Sequence, residues 1–290
     1  MKIVITGATG QLGQLVIQAL LKNTAADQIV ALVRNEAKAA DLKAQGIELR
    51  HFDYDTPETL APALAGIDKL LLISANEIGR RTAQHRAVIE AAQQAGVPYI
   101  AYTSLLRADT STLGLAQEHR ETEALIKASG IAYTFLRNNW YSENYLADAT
   151  HAAETGIRYG AAQDGKISAA PRADYAEAAA KVLASSGHEH KTYELAGSES
   201  FTLADLAHAI SLASGKAVTY QNLSQEDYKH GLIQAGLPAG LAEVIADADA
   251  QTAKGAMFSS SKDLEKLIGR KTVPVNAQVQ AQALFQAQKS

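Results

Sequence analysis

The 290-residue chain contains no cysteine, so disulfides, thiolate metal sites and thiol nucleophiles are all excluded. It has no excess of positive charge: 27 Lys plus Arg against 31 Asp plus Glu leave a net charge of −4, which gives no basis for holding nucleic acid or an anionic membrane. No apolar run reaches the roughly 20 residues of a membrane span. Met1-Lys2 leads directly into an apolar strand, so no secretory signal peptide is expected. Linkers, internal repeats and low-complexity tracts are missing as well. His188 and His190, in Gly-His-Glu-His-Lys, have no third ligand at a metal-binding spacing, so no metal is expected. These absences point to a cytoplasmic protein whose partner is a small molecule.

The N-terminus carries a positive signal. Residues 2–5 are short, branched and apolar, as a buried strand requires, and residues 11–22 place Leu12, Leu15, Val16, Ile17, Ala19 and Leu20 at helical spacing. Between them lie Thr6, Gly7, Ala8, Thr9, Gly10, Gln11, Leu12 and Gly13, with glycines at i, i+3 and i+6. Glycine lets a backbone turn tightly and approach a ligand, and a helix N-terminus aims free N–H groups and partial positive charge at the same point. Such a turn suits a pyrophosphate and reads as a dinucleotide-binding loop, although the spacing is G-x-x-G-x-x-G and not G-x-G-x-x-G.

Strands at 28–33, 48–52, 69–74, 99–104 and 133–137 then alternate with helices at 36–45, 57–64, 79–95 and 115–128, several of them stopped by glycine. Six βα repeats with short connections predict an α/β fold, a Rossmann-type doubly wound parallel sheet with ligands at the carboxyl ends of its strands. Later come a helix at 174–183, a strand at 191–195, a helix at 202–214 capped by Thr202, a short strand at 217–221 and helical sequence from 224 to about 268. The expected organisation is a nucleotide-binding domain over 1–150, with 173–196 returning to it, and a small, mostly helical substrate-side lobe over 197–290.

The second strand ends Val33-Arg34-Asn35-Glu36. Arg34 stands where NAD-selective folds place an acid for the ribose 2′-hydroxyl, and a guanidinium there suits the 2′-phosphate of NADPH. The competing reading has Arg34 lying over the sheet end as a solvated side chain. Asp53 is placed to accept from the adenine amino group or, equally, to form the turn in Asp-Tyr-Asp-Thr-Pro. Ser74, Ala75 and Asn76 follow the fourth strand and are small enough for the chain to pass close to the nucleotide.

Several stretches resemble the NmrA-like branch of the atypical short-chain dehydrogenase/reductase superfamily: the glycine turn, residues 29–35, 69–74 and 102–106, Arg-Asn-Asn-Trp-Tyr-Ser-Glu-Asn-Tyr within 136–146, and Arg-Ala-Asp-Tyr-Ala at 172–176. The resemblance spans essentially the whole chain. It implies a reductase that passes hydride from NADPH directly to a quinone or a similar planar, electron-poor acceptor; relatives in the branch include triphenylmethane dye reductases. NADPH contacts carry over onto Thr6 to Gln11, Arg34, Ser74, Ala75, Asn76, Asn138, Asn139, Trp140, Tyr141, Ser142 and Arg172. The Asn138 and Asn139 amides would hold the nicotinamide carboxamide, and Trp140 and Tyr141 either offer a flat face to the acceptor or pack in the core.

Typical members carry Tyr-x-x-x-Lys on the helix after the fifth strand. Counting back from Gly130 puts His119 at the lysine position and Leu115 at the tyrosine position, so the usual acid is missing. His119 is then either a partner of the nicotinamide ribose or of the product, or a surface histidine paired with Glu123. A quinone tolerates the loss, because hydride arrival creates a delocalised phenolate whose conjugate acid has a pKa around 10. NmrA-like dinucleotide sensors without turnover also lack the catalytic pair and form the alternative reading. An extended-type epimerase or dehydratase fits less well, since it needs the tyrosine and lysine.

Overall fold

Ile3-Val-Ile5 is apolar on both faces because both faces are covered. In the computed structural model, which describes residues 1–287 with side chains as far as Gln282, this strand is completely buried. The strands are β1 (Ile3–Ile5), β2 (Ile29–Val33), β3 (Glu48–His51), β4 (Lys69–Leu72), β5 (Tyr99–Leu105), β6 (Ala132–Asn138), β7 (Ile157–Gly160), β8 (Lys191–Leu195) and β9 (Thr219–Asn222). Seven of them form one parallel sheet in the order β3-β2-β1-β4-β5-β6-β8, and β7 pairs with β9 separately. The chain direction across the large sheet reverses between β1 and β4, which is where open α/β sheets receive a ligand.

The chain divides into two compact units. The first comprises Met1–Asp109, Ala116–Asn138 and Arg172–Leu195 and holds the seven-stranded sheet. Its main helices are α1 (Gln11–Leu20), α4 (Arg81–Gln94), α5 (Ala116–Ala128) and α8 (Arg172–Ala184). Helix α1 buries Leu12, Val16, Ile17 and Leu20 and lies against α8, whose buried face is rich in alanine (Ala176, Ala178, Ala179, Ala180). The expected helices at 36–45 and 57–64 are each a 3₁₀ turn followed by a short helix, α2 (Ala40–Ala44) and α3 (Leu60–Ala63). Asn35 caps the first turn by accepting from the Ala37 N–H at 2.9 Å, and Pro62 withholds a backbone donor from α3.

The second unit comprises Thr110–Leu115, Asn139–Pro171 and Ala196–Ser290. It contains α6 (Ser142–Leu146), α7 (Ala149–Thr155), α9 (Leu203–Ser214), α10 (Gln225–Gln234), α11 (Ala239–Thr252), α12 (Asp263–Ile268) and α13 (Val275–Ala287). Thr202 and Asp205 close a reciprocal capping box on α9, and Gly215 ends that helix in the left-handed region at φ +70°. Asp249 of α11 accepts from the Ala161 N–H at 2.9 Å, and burial pushes its carboxyl up to about 6.

The expected boundaries and this division part at residues 139–150, which group with the second unit. Tyr145 meets Phe201 edge-on at 5.7 Å, and α7 packs on α9. Residues 110–115 join the same unit through the Gly114 N–H bond to Asp247 at 2.9 Å and Thr112 to Gln251 at 2.8 Å. Of the expected lobe, residues 288–290 lie outside the described residues.

The turn from β1 into α1 leaves no space at its third glycine. A Cβ at residue 13 would stand 2.3 Å from the Gly7 carbonyl oxygen and 2.8 Å from the Ala8 Cα, both backbone atoms that cannot rotate away. Gly13→Ala is therefore expected to destabilise the protein by at least about 1–3 kcal/mol, the usual cost of overpacking. Urea denaturation of the ligand-free protein measures this, and an unchanged midpoint would contradict the contact.

Candidate nucleotide-binding site

The glycine turn has the shape of an anion cradle. Gly7 adopts φ +59°, and its carbonyl accepts from the Gly10 N–H at 2.9 Å. Gly10 is the N-cap of α1; no side chain caps it, and the first turn carries no acid. The N-terminal N–H groups thus face outward with no local negative charge to compete for them. Gly7, Gly10 and Gln11 are exposed, whereas Ala8, Leu12 and Gly13 are buried.

Thr6 joins the ends of two strands beneath this turn. It is fully buried; its hydroxyl accepts from the Ile73 N–H at 2.8 Å, and its own N–H donates to the Leu71 carbonyl at 3.0 Å. The side chain ties the end of β1 to the end of β4.

Arg34 is exposed just beyond β2, and no carboxylate pairs with it among the described residues. Its charge reaches Tyr54: burial pushes that hydroxyl up, while Thr6 and the Arg34 guanidinium pull it down. At Asp53 the turn-forming reading holds, since one carboxylate oxygen accepts from the Asp55 N–H at 3.1 Å. Arg80 then links the loops after β3 and β4, meeting Asp55 at 2.5 Å and Glu77 at 2.7 Å.

Ser74 and Ala75 are half-buried and Asn76 is exposed, just beyond the carboxyl end of β4. The Ser74 N–H donates to Thr103 Oγ1 at 2.9 Å. The Ala75 N–H donates to His85 Nε2 at 3.0 Å, and the Ala75 carbonyl accepts from Arg81 Nε at 2.7 Å. Arg81 and His85 escaped the sequence analysis. The available signal is their spacing: 81, 85, 88, 89 and 92 form the buried stripe of α4, so a guanidinium and an imidazole sit where aliphatic residues normally would.

His119 is neither a surface residue nor a partner of Glu123. It is 6% exposed, and its Nδ1 lies 2.7 Å from the Tyr102 hydroxyl. Burial, with the positive Arg81 nearby, drives its pKa down to about 3, and His85 is driven down to about 3 for the same reasons. Both imidazoles are neutral, so neither supplies an imidazolium acid near neutral pH. Glu123 instead holds Arg137 at 2.8 Å and accepts from the Ser104 hydroxyl at 2.6 Å, while Glu194 takes a second Arg137 nitrogen at 2.8 Å.

The segment after β6 splits in its duties. Asn138, 6% exposed at the end of β6, has a side-chain oxygen with no hydrogen-bond partner, an unmet acceptor of the kind a carboxamide NH₂ would satisfy. Asn139 is fully committed inside the second unit: Nδ2 donates to the Ser168 and Met257 carbonyls, both at 2.9 Å, and Oδ1 accepts from the Trp140 N–H at 2.8 Å. Trp140 and Tyr141 are half-buried, Tyr141 bridging to Ala170; Ser142 is buried, its N–H donating to the Ala170 carbonyl at 2.9 Å. Arg172, half-buried, opens α8. His188 bonds Ser185 and Tyr193, and no metal-binding group of His, Asp or Glu exists among the described residues.

Comparison with known proteins places this geometry. The profile of the NmrA-like family matches residues 1–280. Quinone oxidoreductase 2 of Escherichia coli (strain K12) is 58% identical over 270 residues, covering 93% of this chain and 94% of that protein. The crystal structure of the NADPH-dependent quinone oxidoreductase from Escherichia coli complexed with NADPH superposes with a TM-score of 0.95, at 57% identity over 98% of this chain and 99% of that one. Citrobacter sp. triphenylmethane reductase complexed with NADP(H) follows at 0.94 and 42% identity, over 97% and 100% of the two chains.

The two neutral histidines make stability depend on acid. Each binds a proton more readily in the unfolded chain, near pH 6.5, than in the fold, near pH 3. Their contribution is therefore complete above pH 6.5 and is lost as pH falls toward 3, by about 1.4 kcal/mol per pH unit for each histidine. His119→Asn, which keeps a polar atom near the Nδ1 position, should reduce the slope of unfolding free energy between pH 4.5 and 6 by about one proton. Denaturant titrations across that range check it; an unchanged slope would mean that His119 is not buried in its neutral form.

Proposed function

The chain belongs to the NmrA-like family, and on that footing we propose that it is a cytoplasmic, NADPH-dependent reductase of quinones or similar planar, electron-poor acceptors. The observation that carries this is the turn from Gly7 to Gly13: a left-handed glycine, a glycine N-cap and a helix start free of acids, at the point where the strand order reverses. The residues fit the cofactor, since this turn takes a pyrophosphate, Arg34 is unpaired where a 2′-phosphate would need it, and Asn138 holds an orphaned acceptor.

When bound, NADPH supplies the hydride, which passes to the quinone and leaves a hydroquinone monoanion. The protein's part is to bind and orient. The α1 N-terminus neutralises phosphate charge, Arg34 selects the phosphorylated ribose, and Asn138 fixes the carboxamide. Trp140 and Tyr141, which follow Asn138 in the sequence, are of the residue type that offers a planar acceptor flat apolar surface. No strong acid is required of His119, which is neutral; a phenolate with a conjugate-acid pKa around 10 takes its proton from water. Rate enhancement then comes mainly from proximity.

The deciding assay mixes protein, NADPH and a simple benzoquinone and follows loss of the reduced nicotinamide absorbance above the uncatalysed rate. NADPH binding without acceleration of any quinone or dye cation would leave cofactor sensing as the function. Arg34→Ala should raise KM for NADPH about tenfold, the effect of losing a charge-assisted pair, and leave KM for NADH nearly unchanged. An equal loss with both cofactors would place Arg34 away from the 2′-phosphate.

A further inference from the structure

The strongest unused feature of the first unit is a chain of buried polar groups beneath the loop after β4. The Ala75 N–H donates to His85 Nε2 at 3.0 Å, so that nitrogen carries the lone pair and the ring proton is on Nδ1. Nδ1 lies 2.9 Å from Thr122 Oγ1, and the Thr122 hydroxyl hydrogen goes to the Glu118 carbonyl at 2.8 Å. Every hydrogen in this relay has one direction. The Ala75 carbonyl is held from the other side by Arg81 Nε at 2.7 Å, and Arg81 is in turn held by the Glu118 carboxylate at 3.1 Å. The other Glu118 oxygen accepts from the Gly79 N–H at 3.0 Å.

This arrangement is costly as packing. His85 is 0% exposed and Arg81 6%, and they stand in line with Val88, Ile89 and Ala92 of α4, where leucines would fill the same stripe without desolvating a charge. The His85 and Arg81 bonds meet on the backbone of one residue, Ala75, and so fix the two peptide groups on either side of its Cα. We infer that His85, together with Arg81, is a positioning residue for NADPH: it keeps the Ala75 N–H turned inward, and so fixes how Ser74 and Asn76 meet the nucleotide. This rests on the reading that residues 74–76 line the cofactor.

The expected effect differs from that of an ordinary core residue. Without an acceptor at Nε2, the Ala75 N–H would be left unsatisfied if it stayed inward. In the free protein it escapes that cost by turning toward water. A bound nucleotide covers the loop and denies the escape, so the loss falls on affinity and not on the stability of the ligand-free fold.

The test uses two amides of different reach in the full-length protein. In His85→Gln the side-chain amide overlays the Nε2 position and can accept from Ala75. In His85→Asn it overlays Nδ1 and falls short. NADPH titration should show His85→Asn about tenfold weaker than wild type, with His85→Gln within about twofold, and the loss should appear in KM for NADPH and not in kcat at saturating NADPH. Wild-type affinity in His85→Asn would overturn the assignment. Equal weakening in both variants would also do so, since it would leave His85 as packing alone. Should neither variant fold, ¹⁵N spectra of the wild-type imidazoles decide, because a proton found on Nε2 of His85 rules the relay out. Ala75→Phe separates the underlying reading: a bulky ring on a cofactor-lining loop abolishes NADPH binding, and unchanged binding would remove the loop from the site. Loss in Ala75→Phe with a neutral His85→Asn would sink the positioning role alone.

Discussion

The Gly7 carbonyl oxygen occupies the space that a side chain at residue 13 would need, and that contact sets how near α1 approaches the end of β1. With the helix seated so close, its N–H groups open at the carboxyl edge of the sheet, beside the place where the strand order reverses. Thr6 completes the arrangement by binding β1 to β4 through its hydroxyl and its amide. The loops after β2 and β4 take their positions from these two strands. A wider turn would displace the helix dipole and the 74–76 loop together.

Charge is handled unevenly around this edge. Beneath it, histidines are kept neutral and Arg81 is matched by Glu118. At the ends of β5 and β6, Arg137 is gripped by Glu123 and Glu194, and these carboxylates outweigh the burial that opposes its charge. Removing one member of such a buried pair costs about 3–5 kcal/mol, so these groups are fixed structural elements and not a reservoir of mobile protons. A redox reaction whose product is a stabilised anion suits a site of this kind. One that creates an alkoxide does not.

The alternation of strand and helix was legible because the central strands β1, β2, β4 and β5 are apolar runs and several helices are followed by a glycine. Residues 191–195 form the expected strand through the β-formers Thr192 and Tyr193, and Thr202 caps α9 as a threonine at a helix start does. Residues 139–171 were not resolved into elements beforehand, since α6, α7 and β7 are four to seven residues long and too short for a periodic pattern. Within the site, glycines, whose meaning lies in their backbone, could be read directly. Side chains whose role depends on distant partners could not. Thr6 serves Ile73, Asn139 serves Ser168 and Met257, and His119 serves Tyr102, and no local pattern announces those pairings. His85 and Arg81 were hidden for the same reason, although their helical stripe held the clue.

The packing of α1 on α8 also bears on how the protein is made. These helices are neighbours in space, yet α1 ends at Leu20 and α8 at Ala184. At 5–20 residues per second, a ribosome needs roughly 8–33 seconds to travel that far. Throughout that interval the apolar flank of α1 is without its alanine-rich companion, and β6, once made, waits a further 53 residues for the start of β8 at Lys191. The nucleotide-binding unit therefore closes late in synthesis, after residues 139–171 of the second unit have already emerged, and long-range pairings of this kind fold slowly.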